Sequence, residues 1–196
     1  MLNSKSRLFL WGVVYALFLM VFGCEDNSEL LDKLTTEVLS HFKPEAAFAH
    51  CEIPCGIYDP HQAQIAALTT IRMVQLIEAL DSAELSATEK SARLGRYTSA
   101  KEEHAELCKH EIRVLWGDYF RPEHVEQNPQ LHELVFGAMK IASRVRQEVN
   151  ADAAQELLAR TQEIAEIFWQ TKGAGTTKQP SLQGAAGGEI VYPVAS

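Results

Sequence analysis

No run of basic residues occurs anywhere in this chain, and 18 Lys and Arg against 26 Asp and Glu leave a formal charge of −8. Nucleic-acid binding rests on a Lys/Arg footprint that neutralises phosphates, so nucleic acid is not expected as a partner. Long apolar runs are also scarce. The one present, Leu8 to Gly23, is about sixteen residues, slightly short of the ~20 that span a bilayer comfortably as a helix. Cysteine is limited to Cys24, Cys51, Cys55 and Cys108. In an exported protein that even count would allow two disulfides. Their placement argues otherwise: Cys24 closes the apolar run, Cys108 falls inside a helical pattern, and only Cys51 and Cys55 are neighbours.

Lys5 and Arg7 precede the apolar run, and Glu25 and Asp26 follow it. A positive flank before a short apolar segment is the pattern of an export signal, so residues 1–23 are set apart from the fold as a signal or anchor. The other reading is a buried core helix, which the charged flanks disfavour. Membrane contact is expected only through residues 8–24. Val21-Phe22-Gly23-Cys24 loosely resembles a lipoprotein cleavage box, with a bulky Phe22. A second small-x-small site, Ala47-Phe48-Ala49, ends just before His50. It lies too far from the apolar run for one-step signal cleavage, so residues 24–49 are predicted to form a propeptide. Leu30, Leu31, Leu34, Val38 and Leu39 have helical spacing within it. The mature protein is then expected outside the cytoplasm (periplasmic, lumenal or secreted), with a membrane tether before processing.

From Pro60 to about Lys172 the periodicity is helical throughout. Asp59 suits an N-cap and Pro60 the first helical position. Ala66, Thr69, Met73, Leu76 and Leu80 make a first apolar stripe. Ser86 and Glu89 have the spacing of a capping box that opens a second helix, along which Ala105, Cys108, Ile112, Leu115 and Tyr119 repeat the stripe up to Pro122. Asn128-Pro129 is a second cap-plus-proline signal, followed by Leu131, Val135, Ala138, Ala142, Val145 and Val149. Asn150 is placed to cap a fourth helix carrying Ala154, Leu157, Thr161, Ile164 and Phe168, and Gly173 and Gly175 end it. Four helices of roughly 20 residues, each about 30 Å long, with short connections predict an all-α, antiparallel up-down four-helix bundle. Residues 173–196, rich in Gly, Thr, Ala and Gln, read as a flexible tail. Glu189-Ile190-Val191-Tyr192 within it would suit a short strand or a docking peptide.

In front of the bundle stands His50-Cys51-Glu52-Ile53-Pro54-Cys55-Gly56-Ile57-Tyr58-Asp59-Pro60. It gathers an imidazole and two thiols within six residues, and borderline-soft transition metals favour that donor set. The bare spacing leaves an ordinary Cys51–Cys55 disulfide, or two inert thiols, open. Pro54 fixes one φ angle and Gly56 permits a tight turn, so a compact loop ahead of the first helix is expected. The stretch resembles the nickel hook of nickel superoxide dismutases. Three further segments are similar to family positions: Val114-Leu115-Trp116-Gly117-Asp118-Tyr119-Phe120-Arg121-Pro122, then Pro129-x-Leu131-His132, then Ile167-Phe168-Trp169-x-Thr171-Lys172. The resemblance covers roughly residues 50 to 172, the predicted enzyme domain.

The resemblance implies a precursor cut between Ala49 and His50 by a maturation protease. His50 would then contribute its new α-amine and its imidazole, Cys51 a thiolate and its backbone nitrogen, and Cys55 a second thiolate, to one nickel ion per subunit. Thiolates and an anionic amide nitrogen stabilise Ni(III), which brings the couple within reach of superoxide disproportionation to dioxygen and hydrogen peroxide; zinc at thiolates has no redox chemistry. Tyr58 and Tyr119 would line the mouth of the site. Asp118 matches a supporting position, and Glu52 stands where many members carry Asp. Two departures matter: Ala66 and His104 stand where some members carry a Glu and an Arg that support the axial imidazole. His104 would take part itself or lie on a polar helix face. His61, His110, His124 and His132 are not expected to be ligands, and Cys108 reads as an inert small hydrophobe. With superoxide as substrate, an acidic protein must steer its anion locally rather than through net charge. The family implies a homohexamer. Two other classes stay open from sequence: a nickel or copper carrier without turnover, and an export-linked helical adaptor with a disulfide at the hook.

Overall fold

The computed structural model describes residues 55–194; the chain divides into two units, Met1–Ala49 and His50–Ser196, and the described residues belong to the second. The predicted signal (1–23), the propeptide (24–49), the cleavage pair Ala49 and His50, and Cys51 and Glu52 lie outside the described residues. Among those described, no helix is long and apolar enough to cross a membrane.

The bundle is built from α1 (His61–Glu78), α2 (Ala87–Val114), α4 (Leu131–Gln147) and α5 (Ala151–Thr171), with a short α3 (Pro122–Gln127) between α2 and α4. Around the core, α1 packs on α2 and α5, and α4 packs on the same two. Short connections between sequential neighbours give the predicted up-down arrangement. The start of α1 therefore lies at the same end of the bundle as the close of α2 and of α5, and this end carries the candidate site.

Local chemistry sets the boundaries. Asp59 Oδ1 accepts the His61 amide proton at 2.7 Å, an Asx turn that launches α1. Ser86 and Glu89 form the full capping box of α2. Asn150 Oδ1 caps α5 through the Ala153 amide at 2.9 Å. Asn128 does not act as predicted. Its side chain turns back to donate to the His124 carbonyl at 3.1 Å, and it closes α3 rather than opening α4.

The stripe of α2 is buried through Leu115, with Tyr119 half-buried in the turn that follows, and that of α5 is buried as the spacing predicts. That of α4 is too, except that Val149 lies past the helix end and is 48% exposed. On α1 the predicted stripe holds only in part: Ala66 and Leu80 are buried, but Thr69, Met73 and Leu76 are half-buried and the inward face runs through Ala63, Ala67, Thr70, Val74 and Ile77. The small residues there allow close helix approach, so packing rather than size selects the buried face.

Two elements depart from the sequence expectation. α2 does not end as an α-helix but widens into one π-helical turn, Leu115–Tyr119, closed by the Phe120 amide on the Leu115 carbonyl at 2.9 Å. The chain after Gly173 is not the flexible tail expected from its composition. It forms an antiparallel hairpin, β1 (Gly175–Pro180) and β2 (Glu189–Val194), with Gly175 opposite Val194 and Pro180 opposite Glu189. The physical reason is Ile190 and Val191, which are buried against the bundle. An isolated two-stranded hairpin is marginal in water, and this one is held by what it packs on.

Candidate metal centre

The site is built where the loop before α1 meets the ends of α2 and α5. Cys55 is exposed, and the Ile57 amide donates to its Sγ at 3.5 Å. The thiolate is the form that binds metal. Gly56 turns the chain with φ +72°, in the left-handed region that glycine enters without strain. Tyr58 follows, half-buried, its ring 5.5 Å from that of Tyr119. The two predicted tyrosines thus come together, one from the loop and one from the π turn.

Tyr119 is the most heavily supported of the predicted residues. Its ring lies 4.5 Å from Phe168, 5.3 Å from Phe120, and stacks on His124 at 5.6 Å. Its hydroxyl is 2.7 Å from Thr171 Oγ1, and that threonine donates its single proton to the Phe168 carbonyl. The phenol must therefore donate to Thr171, which points its proton into the bundle and leaves its oxygen lone pairs as acceptors. His124 is fixed as well: the Arg121 amide donates to its Nδ1 at 3.2 Å, so the neutral ring carries its proton on Nε2.

Lys172 places its ammonium 5.1 Å over the Tyr119 ring and 5.3 Å over Phe168. It supplies a positive charge beside the tyrosine pair in an otherwise acidic chain. Lys172, Thr171, Phe168 and His124 were not singled out as site residues. For Phe168, Thr171 and Lys172 the signal in the sequence was the Phe168-to-Lys172 segment, whose i to i+3 spacing brings Phe168 and Thr171 to one helix face; His124, on α3, lies outside that segment.

Two predicted residues are not drawn into this cluster. Asp118 is exposed on the π turn. His104 lies fifteen positions before Tyr119 on α2, about 20 Å away along the helix axis, and its Nδ1 donates to the Ala100 carbonyl at 2.8 Å. Its interaction is with its own helix. Ala66, the other departure from the family pattern, is buried in the core.

Among the described residues no three His, Cys, Asp or Glu side chains are grouped to hold a metal; of the predicted ligands only Cys55 is described. What is present fits nickel by donor chemistry. Cys55 offers an exposed sulfur backed by an amide, at the end of a loop whose remaining predicted donors are an imidazole, an amine and a second thiolate. Nitrogen and sulfur donors of this kind suit tetragonal Ni(II). Cys108 does not compete. Burial pushes its thiol up to about 12, against a weak Thr161 hydrogen bond that lowers it and a Glu111 charge that raises it further.

The profile of the nickel-containing superoxide dismutase family matches residues 45–172. The superoxide dismutase [Ni] of Streptomyces seoulensis is 40% identical over 126 residues, covering 64% of this chain and 90% of that protein. The Streptomyces coelicolor protein of the same name is 39% identical over the same length. Among solved structures, a nickel-containing superoxide dismutase with nickel ligation corresponding to the oxidised state superposes with a TM-score of 0.57 at 38% identity, covering 64% of this chain and 100% of that one. A native 1.30 Å nickel superoxide dismutase gives 0.56 at 36% identity, over 63% and 99% of the two chains.

Proposed function

This chain belongs to the nickel-containing superoxide dismutase family, and on that footing we propose that its nickel is held by His50, Cys51 and Cys55 once the bond behind His50 is cut. The carrying observation is that the one described ligand, Cys55, is an exposed sulfur on the loop that leads directly to the Tyr58–Tyr119 pair. That bond also coincides with the boundary between the two units of the chain. When bound, nickel supplies a one-electron couple poised to both oxidise and reduce superoxide.

The chain's own residues do the rest. Tyr58 and Tyr119 narrow the approach to the hook. Tyr119 is held by Thr171 and Phe168 and acts as a fixed wall whose oxygen accepts hydrogen bonds from water or a protonated product. Lys172 attracts the anion to that wall. While Ala49 is attached, the nitrogen of His50 is a planar amide with little basicity; hydrolysis makes it an amine, so a maturation protease gates metal capture. Residues 1–23 direct export, residues 24–49 are the propeptide, and the mature protein works outside the cytoplasm as a homohexamer.

The test loads nickel into full-length and processed protein. Processed protein is expected to bind one nickel per subunit and consume superoxide, and the uncut chain to do neither. Cys51→Ser and Cys55→Ser are each expected to abolish stoichiometric nickel binding. Stoichiometric nickel without superoxide consumption would instead identify a carrier. An uncut native chain joined by a Cys51–Cys55 disulfide would remove the metal centre altogether.

A further inference from the structure

The hairpin β1–β2 lies beyond the family match, which ends at residue 172. A solved relative is spanned completely by 64% of this chain. The hairpin is nevertheless built into the bundle. Gln64, on the first turn of α1 and 0% exposed, donates from Nε2 to the Val191 carbonyl at 3.2 Å and accepts the Val191 amide on Oε1 at 2.8 Å. One side chain thus satisfies both backbone groups of a β2 residue, as a neighbouring strand would. From α5, Gln162 donates to the Glu189 carbonyl at 2.7 Å, and Glu166 pairs with Lys178 at 3.2 Å. Ile190 is 0% exposed and belongs to the main core. Gly188, at φ +78°, lies so close to α1 and α5 that a Cβ there would come within 2.9 Å of Leu68 and 3.4 Å of Leu158. The hairpin therefore bridges α1 and α5 with both apolar and polar contacts.

Its position bears on the site. Tyr192 sets its ring 5.8 Å from that of His61, the first residue of α1. His61 is joined to Asp59 by the turn that starts the helix. Tyr58 and Cys55 lie three and six residues before it. The first turn of a helix is where fraying concentrates, because its amides lack intrahelical partners. Once the bond behind His50 is cut, that turn is also the one covalent attachment of the hook.

We propose that the C-terminal hairpin is a strap that pins the first turn of α1 to α5 through Gln64 and Tyr192 and so holds the hook segment in its metal-binding position. Tyr192 and Gln64 are positioning residues. They act on the hook through His61 and Asp59 and do not touch the reacting centre. The inference rests on the metal centre proposed above and adds a retention device outside the part shared with the relatives.

The test compares processed protein with three variants: Tyr192→Ala, Tyr192→Phe and Gln64→Ala. A fourth chain ends after Gly173. Two quantities are read: nickel release into excess chelator, and hydrogen exchange of the Ile57, Tyr58, Asp59 and His61 amides in metal-free protein. Tyr192→Ala and the shortened chain are expected to release nickel at least about ten-fold faster and to exchange these amides faster. Gln64→Ala should do the same, and Tyr192→Phe should match the parent because the ring is kept. Unchanged nickel release or unchanged exchange in folded Tyr192→Ala overturns the strap, and this point variant decides the matter if the shortened chain does not fold. If the intact processed protein takes up no nickel, the metal-centre reading fails instead, and the exchange data alone decide the strap.

Discussion

Cys55 and Cys108 show how one residue type acquires two characters. Cys55 is exposed with an amide on its sulfur, whereas Cys108 is sealed beside Thr161 with its thiol pushed up to about 12 by burial. Only the thiolate is nucleophilic. A thiol reagent at neutral pH is therefore expected to leave Cys108 unmodified in the native protein and to label it after denaturation; mass spectrometry of the labelled peptides checks this. Cys108 was legible because it sits on an apolar stripe. Lys101 was not. It is 1% exposed, and its ammonium donates to the carbonyls of Val145, Arg146 and Glu148, where α4 ends. Burial pushes its pKa down, outweighing Glu102, which raises it. The orphan carbonyls of α4 and the helix dipole supply the partners that make this burial tolerable. No local pattern around Lys101 announces a helix end more than forty residues away in sequence.

At the level of elements, caps were readable because they depend on three or four consecutive residues. The box of Ser86 and Glu89 and the cap by Asn150 formed as their spacing required. Asn150→Ala is expected to cost about 1 kcal/mol, within the 0.5–2 kcal/mol range for such caps, measured by denaturant unfolding with the slope unchanged. The π turn was not readable. Tyr119 fits the α-helical stripe on paper, but one additional residue in the last turn of α2 rotates it toward Tyr58, Thr171 and His124. Such turns recur at functional sites, and here the turn brings Tyr119 against Tyr58, Thr171 and His124. Of the hairpin only a strand over 189–192 was suggested in the sequence; its partner Gly175–Pro180 was not, for a different reason. Its composition is that of a linker, and two strands alone would not be stable; Gln64 and the core around Ile190 make it one.

At the scale of the whole molecule the chain carries a formal charge of −8, and Lys172 sets a positive charge over the Tyr119 and Phe168 rings. Some of the acidic groups also tie helices together. Glu106 on α2 bonds Arg113 at 2.9 Å and Arg146 of α4 at 2.6 Å. Burial raises its pKa, but the Arg113 hydrogen bond and the charges of Arg113, Arg146 and Lys109 outweigh burial and leave it below the ordinary 4.5. A carboxyl depressed in the folded state stabilises the fold above its unfolded pKa, and that contribution disappears as pH falls through the folded value. Thermal unfolding is therefore expected to occur at lower temperature as pH drops from about 5 toward 3, and Glu106→Gln should flatten part of that slope.

Sequence alone determined the bundle and the caps at Ser86 and Asn150, because helical periodicity and capping pairs are short-range signals; the six-residue cluster of metal donors is legible in the same way as a motif. Only the tertiary structure decided which tyrosine proton points inward, that His104 bonds its own helix, that Lys172 sits over the aromatic pair, and that residues after Gly173 return to grip α1. Each of those depends on partners brought together from distant parts of the chain, where geometry rather than spacing chooses the neighbour.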